Sequence, residues 1–270
     1  MTRDSFRRSK KGERLAQIIF ITGTGTGVGK TVLTALLLRH LRQRGCHALA
    51  MKPFCSGGPN DVDLLYELQD GKLSRHEMNP FYFDEPVAPL VAARKHRRRI
   101  SPRDVLQRIR AVQRQCECLL IEGSGGVMVP LGESFFVADM IAALDCNVVI
   151  VAQNKLGVIN HALLNSRMLA LYGVNRIKIV LVDCKQRDLS ARTNAKVLAE
   201  LLSPMRVIGL PFLGVRANTA SAVKINCKKN KKTLALISDF ATFWPLLKRS
   251  SKDCHKKLLT VRVKKIPFSA

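Results

Sequence analysis

The chain has 270 residues, 47% of them hydrophobic and 24% charged, with a mean hydropathy of +0.03. That balance excludes a disordered chain and leaves room for one large α/β domain or two small ones. The 45 Lys+Arg against 20 Asp+Glu give a formal charge of +25, which taken alone points to a polyanion or to membrane headgroups.

The excess charge is unevenly placed. It crowds residues 3–14, the run 94–99 and the stretch from Arg216 onward, whereas 18–91 and 116–174 are nearly balanced. Charge at the ends and in one internal segment reads as a basic surface, so neither a specific nucleic acid nor a membrane is expected as partner. No segment reaches about eighteen uninterrupted apolar residues, and no apolar stretch follows the basic N-terminus to form a signal peptide. A cytoplasmic location is expected. Cys116 and Cys118 have neither a second close cysteine pair nor a histidine at ligand spacing. The cysteines therefore read as reduced, largely buried thiols.

In chain order, a short β-branched strand at 18–21 runs into a Gly-rich turn, and a helix follows at 32–41. Further strands are predicted at 48–51, 119–121, 148–151, 177–182 and 206–208, the last stopped by Gly209-Leu210-Pro211. Helices are predicted at 62–68, 102–113, 160–171 and 193–202. Ser101 before Pro102 makes a helix start, with an N-cap and a proline at the first helical position. Strands apolar on both faces and alternating with helices predict a doubly wound, mostly parallel α/β domain with helices on both faces. The expected organisation is a basic arm at 1–15, one domain at 16–247 with its core at 16–215, and a basic tail at 248–270. A last helix is expected at 234–247, carrying Phe240, Phe243 and Trp244.

Four constellations carry chemistry. Gly23-Thr24-Gly25-Thr26-Gly27-Val28-Gly29-Lys30-Thr31 lies between a strand and a helix, which is the setting of a phosphate loop. Its amides and the helix N-terminus suit phosphate oxygens, Lys30 can reach the β/γ-phosphates, and the Thr31 hydroxyl suits Mg²⁺. The usual first glycine falls on Thr24, with Gly23 one residue further out, so the loop is a variant. Lys52-Pro53-Phe54-Cys55-Ser56-Gly57 lies just beyond the second strand, where a lysine can hold an anionic intermediate or simply be solvated. Asp61 and Asp63 open the next segment, and either suits Mg²⁺ or a helix N-terminus. Glu122-Gly123-Ser124-Gly125-Gly126 ends the third strand with a carboxylate and glycines, as a metal-nucleotide contact or as a tight turn. Lys155-Leu156-Gly157-Val158-Ile159-Asn160-His161 follows the fourth strand, with Asn160 as a helix cap or the loop amides as a carboxylate site.

Together these segments resemble the ATP-dependent dethiobiotin synthetase family. The loop from Gly23 to Thr31 has that family's form, including the extra residue. Lys52-Pro53 with Ser56-Gly57, Asn79-Pro80-Phe81, Glu85-Pro86 to Pro89, Glu122 to Gly126, and Lys155 to His161 follow in the family's order. The resemblance implies a P-loop NTPase-like fold and an ATP- and Mg²⁺-dependent carboxylation of 7,8-diaminononanoate with CO₂ or bicarbonate, within biotin biosynthesis. It assigns catalysis to Lys30, Lys52 and Thr26, and the nucleotide to Gly25, Thr26, Gly27, Val28, Gly29, Lys30, Thr31, Val32, Asp183 and Pro211. Mg²⁺ falls to Thr31, Asp61 and Glu122; the substrate falls to Ser56, Gly123, Ser124, Gly125, Gly126, Val158 and Asn160, the last reached across a homodimer interface.

Two departures stand out from the family's pattern. Gly25 and Gly27 occupy loop positions where the family often has carboxylates. Asp183 stands where the family commonly has an asparagine that reads adenine, which implies a relaxed base preference or one shifted toward GTP. Partitioning and cofactor-amidating ATPases share the fold and a similar loop. The partitioning kind carries a second lysine early in the loop, where this chain has Gly23 and Thr24. A degenerate, non-catalytic relative is the remaining alternative.

Overall fold

The computed structural model describes residues 16–240. The chain divides into one unit at Met1–Ser238 and another at Asp239–Ala270, and only Asp239 and Phe240 of the second are among the described residues.

In chain order the first unit contains β1 (Gln17–Gly23), α1 (Lys30–Gln43), β2 (Ala48–Met51), β3 (Phe54–Ser56), α2 (Asn60–Leu68), α3 (Arg75–Met78), β4 (Phe81–Phe83), α4 (Pro89–Lys95) and α5 (Pro102–Gln113). It continues with β5 (Cys118–Glu122), β6 (Pro130–Gly132), β7 (Phe135–Phe136), α6 (Val137–Leu144), β8 (Asn147–Asn154), α7 (Val158–Leu171), β9 (Ile177–Asp183), α8 (Asn194–Leu201), β10 (Arg206–Leu210), α9 (Ala220–Lys229) and α10 (Lys231–Ser238). Six strands form one sheet in the order β10-β9-β8-β1-β5-β2, and every pairing within it is parallel. α1 packs with α9 and α10, while α5, α6, α7 and α8 contact one another in series. The sheet is thus covered on both faces, as its doubly apolar strands require: Ile18 to Ile21 on β1 and Val148 to Ala152 on β8 are buried throughout. β1 sits between β5 and β8, so its carboxyl end, with the loop that follows, lies at the centre of the carboxyl edge where sites form in this architecture.

Local chemistry explains where elements begin and end. α5 buries Val105, Ile109 and Val112, one stripe at helical spacing. Ser101 is its N-cap residue and Pro102 its first helical residue, although the serine hydroxyl makes no capping hydrogen bond. β10 does not stop at Ile208: Gly209 and Leu210 stay in register with Leu181 and Val182, and Pro211 is the first residue unable to donate to the ladder. α7 starts earlier than its sequence predicts, capped by Gly157 at φ 89°. Asn160 lies exposed within its first turn and is not the cap.

The lysine-rich stretch after Arg216 is structured up to Ser238. Thr219 caps α9 by accepting from the Ala222 amide, and Val223, Cys227, Leu234 and Ile237 are buried. The buried Lys178 of β9 donates to the carbonyl of Leu236 at 2.7 Å, satisfying a group at the end of α10. The helix expected at 234–247 is instead Lys231–Ser238, so Phe240 falls beyond it; Phe243 and Trp244 lie outside the described residues, as do the arm 1–15 and the tail 248–270.

Among the described residues no helix is long and apolar enough to cross a membrane, and the cysteines are free thiols. Burial pushes Cys118 and Cys146 up to about 12, and Cys116 up to about 11. Iodoacetamide at pH 8 should therefore label Cys184, which is partly exposed, well ahead of Cys118 and Cys146. Peptide mass spectrometry checks the order, and equal rates at all three would contradict the packing.

Candidate functional site

All six sheet strands point the same way, so the residues after β1, β2 and β5 converge on one edge. There a cavity of about 710 Å³ opens between the loop after β1 and the segments around Ser56, Pro86 and Gly123.

The loop after β1 turns into α1 through Gly29, whose φ of 102° is a left-handed conformation that L side chains rarely adopt. Lys30 follows as the first residue of the helix, buried, with its ammonium donating to the Gly25 carbonyl at 2.6 Å. Burial pushes its pKa down, and Lys52 nearby adds to that; Glu122 and Asp61 oppose it without winning. An ammonium held on a loop carbonyl and short of negative charge is prepared for an anion.

Lys52 comes directly after β2, and its backbone is held at both ends: its amide donates to Met78 and its carbonyl accepts from Asn79 Nδ2 at 2.6 Å. Its ammonium pairs with Asp61 Oδ2 and with Glu122 Oε1, the latter at 2.9 Å. Burial alone would lower its pKa, but Glu122 and then Asp61 outweigh that and hold it above the ordinary lysine range. Glu122, at the end of β5, also accepts from the Thr31 hydroxyl at 2.7 Å. Its second oxygen, Oε2, is buried without a partner, and so is Ser56 Oγ. Two unpartnered buried polar atoms among cavity-lining residues are the groups a ligand would satisfy.

Asp61 and Asp63 separate clearly. Asp61 lines the cavity beside Lys52, whereas Asp63 is paired with Arg75. Among the described residues no three His, Cys, Asp or Glu side chains gather into a metal cluster. The cavity does present two carboxylates and a hydroxyl, one carboxylate oxygen being free. That hard-oxygen set fits a small divalent cation that completes its shell with phosphate oxygens and water.

Thr26, Gly27, Gly29, Thr31 and Val32 line the cavity with Lys30, and Ser56, Gly123, Ser124 and Gly125 line it opposite. The Ser124 hydroxyl is already committed to the Phe54 carbonyl at 2.9 Å. A side chain at Gly123 would place its Cβ 2.8 Å from the Phe20 ring, so this glycine lets β5 turn tightly over β1. Gly25 meets Lys30 through its carbonyl, Val28 is buried beneath the loop, and Gly126 approaches the Gly23 carbonyl. Val158, Asn160, Asp183 and Pro211 are not on the cavity wall. Asp183 ends β9, accepts from Asn154 Nδ2 at 2.9 Å and pairs with Arg187 at 3.3 Å. Residues that the sequence did not single out as site residues also line the cavity: Pro86 to Pro89, Val129 and Asn218. Asn218 had no signal at all, because it lies in the stretch whose lysines masked its order.

Residues 17–211 match the family model described as an AAA domain. The chain is similar to the ATP-dependent dethiobiotin synthetase of Bacillus licheniformis, with 37% identity over 202 residues that cover 73% of this chain and 83% of that protein. The corresponding enzyme of Bacillus subtilis strain 168 is 33% identical over 211 residues, covering 76% of this chain and 89% of that one. Among solved structures, a putative plasmid partition protein from Borrelia burgdorferi shares the fold with a TM-score of 0.55 at 12% identity, covering 83% of this chain and all of that one. With the phosphate loop, Lys52 and Glu122 converging on one cavity, the chain belongs to the ATP-dependent dethiobiotin synthetase family and is an ATP-using enzyme with the P-loop fold.

Proposed function

We propose that the chain is a dethiobiotin synthetase, an ATP- and Mg²⁺-dependent cyclo-ligase that closes 7,8-diaminononanoate and CO₂ into a cyclic urea. The observation that carries this reading is the placing of two buried lysines of opposite character, Lys30 and Lys52, on one cavity with Thr31, Asp61 and Glu122. One amine of the diamine captures CO₂ as a carbamate. A carbamate oxygen attacks the γ-phosphate and ADP leaves; the second amine then attacks the carbonyl and phosphate departs.

No side chain acts as a nucleophile. Lys30 neutralises the phosphates, with Thr26 and the loop amides from Gly25 to Val32 orienting them. Lys52 holds the carbamate, and Ser56 with the amides of Gly123 to Gly126 positions the intermediate. Thr31, Asp61 and Glu122 would hold Mg²⁺, which supplies charge neutralisation at the phosphates. Asn160 stands exposed in the first turn of α7, near exposed Leu156 and Leu164, while Val158 at the first position of the helix is buried. Asn160 and the exposed turn before it, with the backbone of Val158, reach the substrate carboxylate in the cavity of a second copy, which makes the working form a homodimer.

Bicarbonate labelled with ¹⁸O tests the chemistry, because the attacking carbamate oxygen leaves with phosphate. Released phosphate should carry one labelled oxygen; label-free phosphate under rapid mixing would remove the mixed-anhydride route.

Asp183 and Pro211 border the nucleotide base in this reading. An ionised Asp183 has no proton to give adenine, so kcat/KM for GTP should fall within about tenfold of that for ATP. A polar site matched to one base would instead discriminate by about 10⁴–10⁵. Strong ATP preference in side-by-side kinetics would remove Asp183 from base reading.

A further inference from the structure

The oxygen donors assigned above to a divalent cation are gathered around an ammonium. Glu122 Oε1 accepts from both the Thr31 hydroxyl at 2.7 Å and Lys52 Nζ at 2.9 Å, and the same Nζ is paired with Asp61. Lys52 is 7% exposed, so this ammonium is a built component of the site and not a surface lysine resting nearby. Its backbone is pinned on both sides by Met78 and Asn79. Only the flexible stem between Cα and Nζ is free to swing, and the empty space open to it is the cavity that Lys52 itself lines.

We propose that Lys52 is the resident counter-ion of the divalent-cation site, and that its ammonium must leave Glu122 and Asp61 before these carboxylates ligate the ion. This inference rests on the Mg²⁺ reading of the site given above. Two carboxylates balanced by one ammonium carry one net negative charge, and a divalent ion replacing the ammonium brings the pair to neutrality. Keeping both cations on the same oxygens would set three positive charges against two negative ones at van der Waals range. The freed ammonium is then delivered, by a side-chain rotation alone, to the anion in the cavity. Lys52 therefore serves two anions in turn. While the site is empty it prevents two carboxylates from facing each other uncompensated, and once the metal arrives it meets the substrate. The exchange also makes the apparent metal affinity lower than the intrinsic one, by the fraction of molecules whose Lys52 has already swung out.

The test is Mn²⁺ binding to the full chain with a non-hydrolysable ATP analogue, read from the EPR signal of free Mn²⁺. If Lys52 is out in about a tenth of molecules, Lys52→Met should tighten Mn²⁺ about tenfold. Lys155→Met removes the same charge from an exposed lysine on the same sheet edge and should change it less than about twofold, which separates exchange from long-range repulsion. Glu122→Gln should weaken Mn²⁺ binding. Equal or weaker binding by Lys52→Met, with Glu122→Gln still weakening it, would overturn the exchange and leave the metal site standing. Binding insensitive to Glu122→Gln would overturn the metal reading, and the exchange with it. Pulse acetylation of the unaltered protein provides a readout that does not depend on a variant folding. Mg²⁺ should raise Lys52 modification about tenfold over K⁺ at equal ionic strength, and no change would overturn the proposal.

Discussion

Replacing Lys30 by Met should lower kcat for diamine-dependent phosphate release by about 10²–10³-fold, the usual cost of losing a charge aimed at a developing anion, while leaving the urea midpoint unchanged or raised. The second half of that expectation is the diagnostic one. Lys30 is buried with no carboxylate partner closer than its bond to the Gly25 carbonyl, and burial holds its pKa down. Folding therefore buries this charge at a cost, and a methionine of similar length removes the cost. The linkage has a matching sign. A lysine whose folded pKa lies below its unfolded value binds fewer protons when folded, so its contribution to stability grows as pH rises from the folded toward the unfolded value. Urea melts of the two proteins across that alkaline window should converge as pH increases. A Lys30→Met protein that loses stability and activity together would mean that the lysine is structural.

Glu122→Gln should have the other signature, with both activity and stability falling. Glu122 is 1% exposed and accepts from Thr31 and Lys52. Its amide would leave the Lys52 ammonium to Asp61 alone, whose side chain is 41% exposed. Breaking one partner out of a buried pair costs about 3 kcal/mol at the low end of the range for such changes, and the surviving Asp61 contact argues for that low end. Activity should drop by about 10²–10³-fold, since on the function proposed above the same substitution removes an anionic donor to the divalent cation. Urea unfolding with steady-state kinetics on one preparation measures both. Full stability in Glu122→Gln would show that Lys52 is not held by this carboxylate.

These two residues also show how much of the molecule was legible in its sequence. Lys30 was read directly, because a Gly-rich loop between strand and helix has few physical uses. Glu122 and Lys52 were visible as residues at strand ends, yet nothing in their spacing tells that they pair; the parallel order that sets β2 beside β5 supplies that contact. Asp61 lines the cavity while Asp63 pairs with Arg75, a tertiary contact that no local pattern announces. The regular elements were legible through their apolar runs, and the errors fell at their ends. Gly209 looked like a stop but pairs within β10, and Asn160 looked like a cap where Gly157 already serves. The largest omission was α9, while α10 overlaps the helix expected at 234–247. The Lys-rich text after Arg216 hid its apolar spacing, while Val223, Cys227, Leu234 and Ile237 supply a buried stripe and Asn218 reaches the cavity wall. Basic residues on the exposed side of a helix say nothing about what its other side buries.

On the function proposed above, one cavity couples ATP cleavage to closure of a urea ring. The most direct test is phosphate release by the purified full chain with ATP, Mg²⁺, bicarbonate and 7,8-diaminononanoate, alongside mass spectrometric detection of dethiobiotin. Release should depend on the diamine and match the dethiobiotin formed mole for mole; diamine-independent hydrolysis, or ATP cleavage without the cyclic urea, would contradict the account.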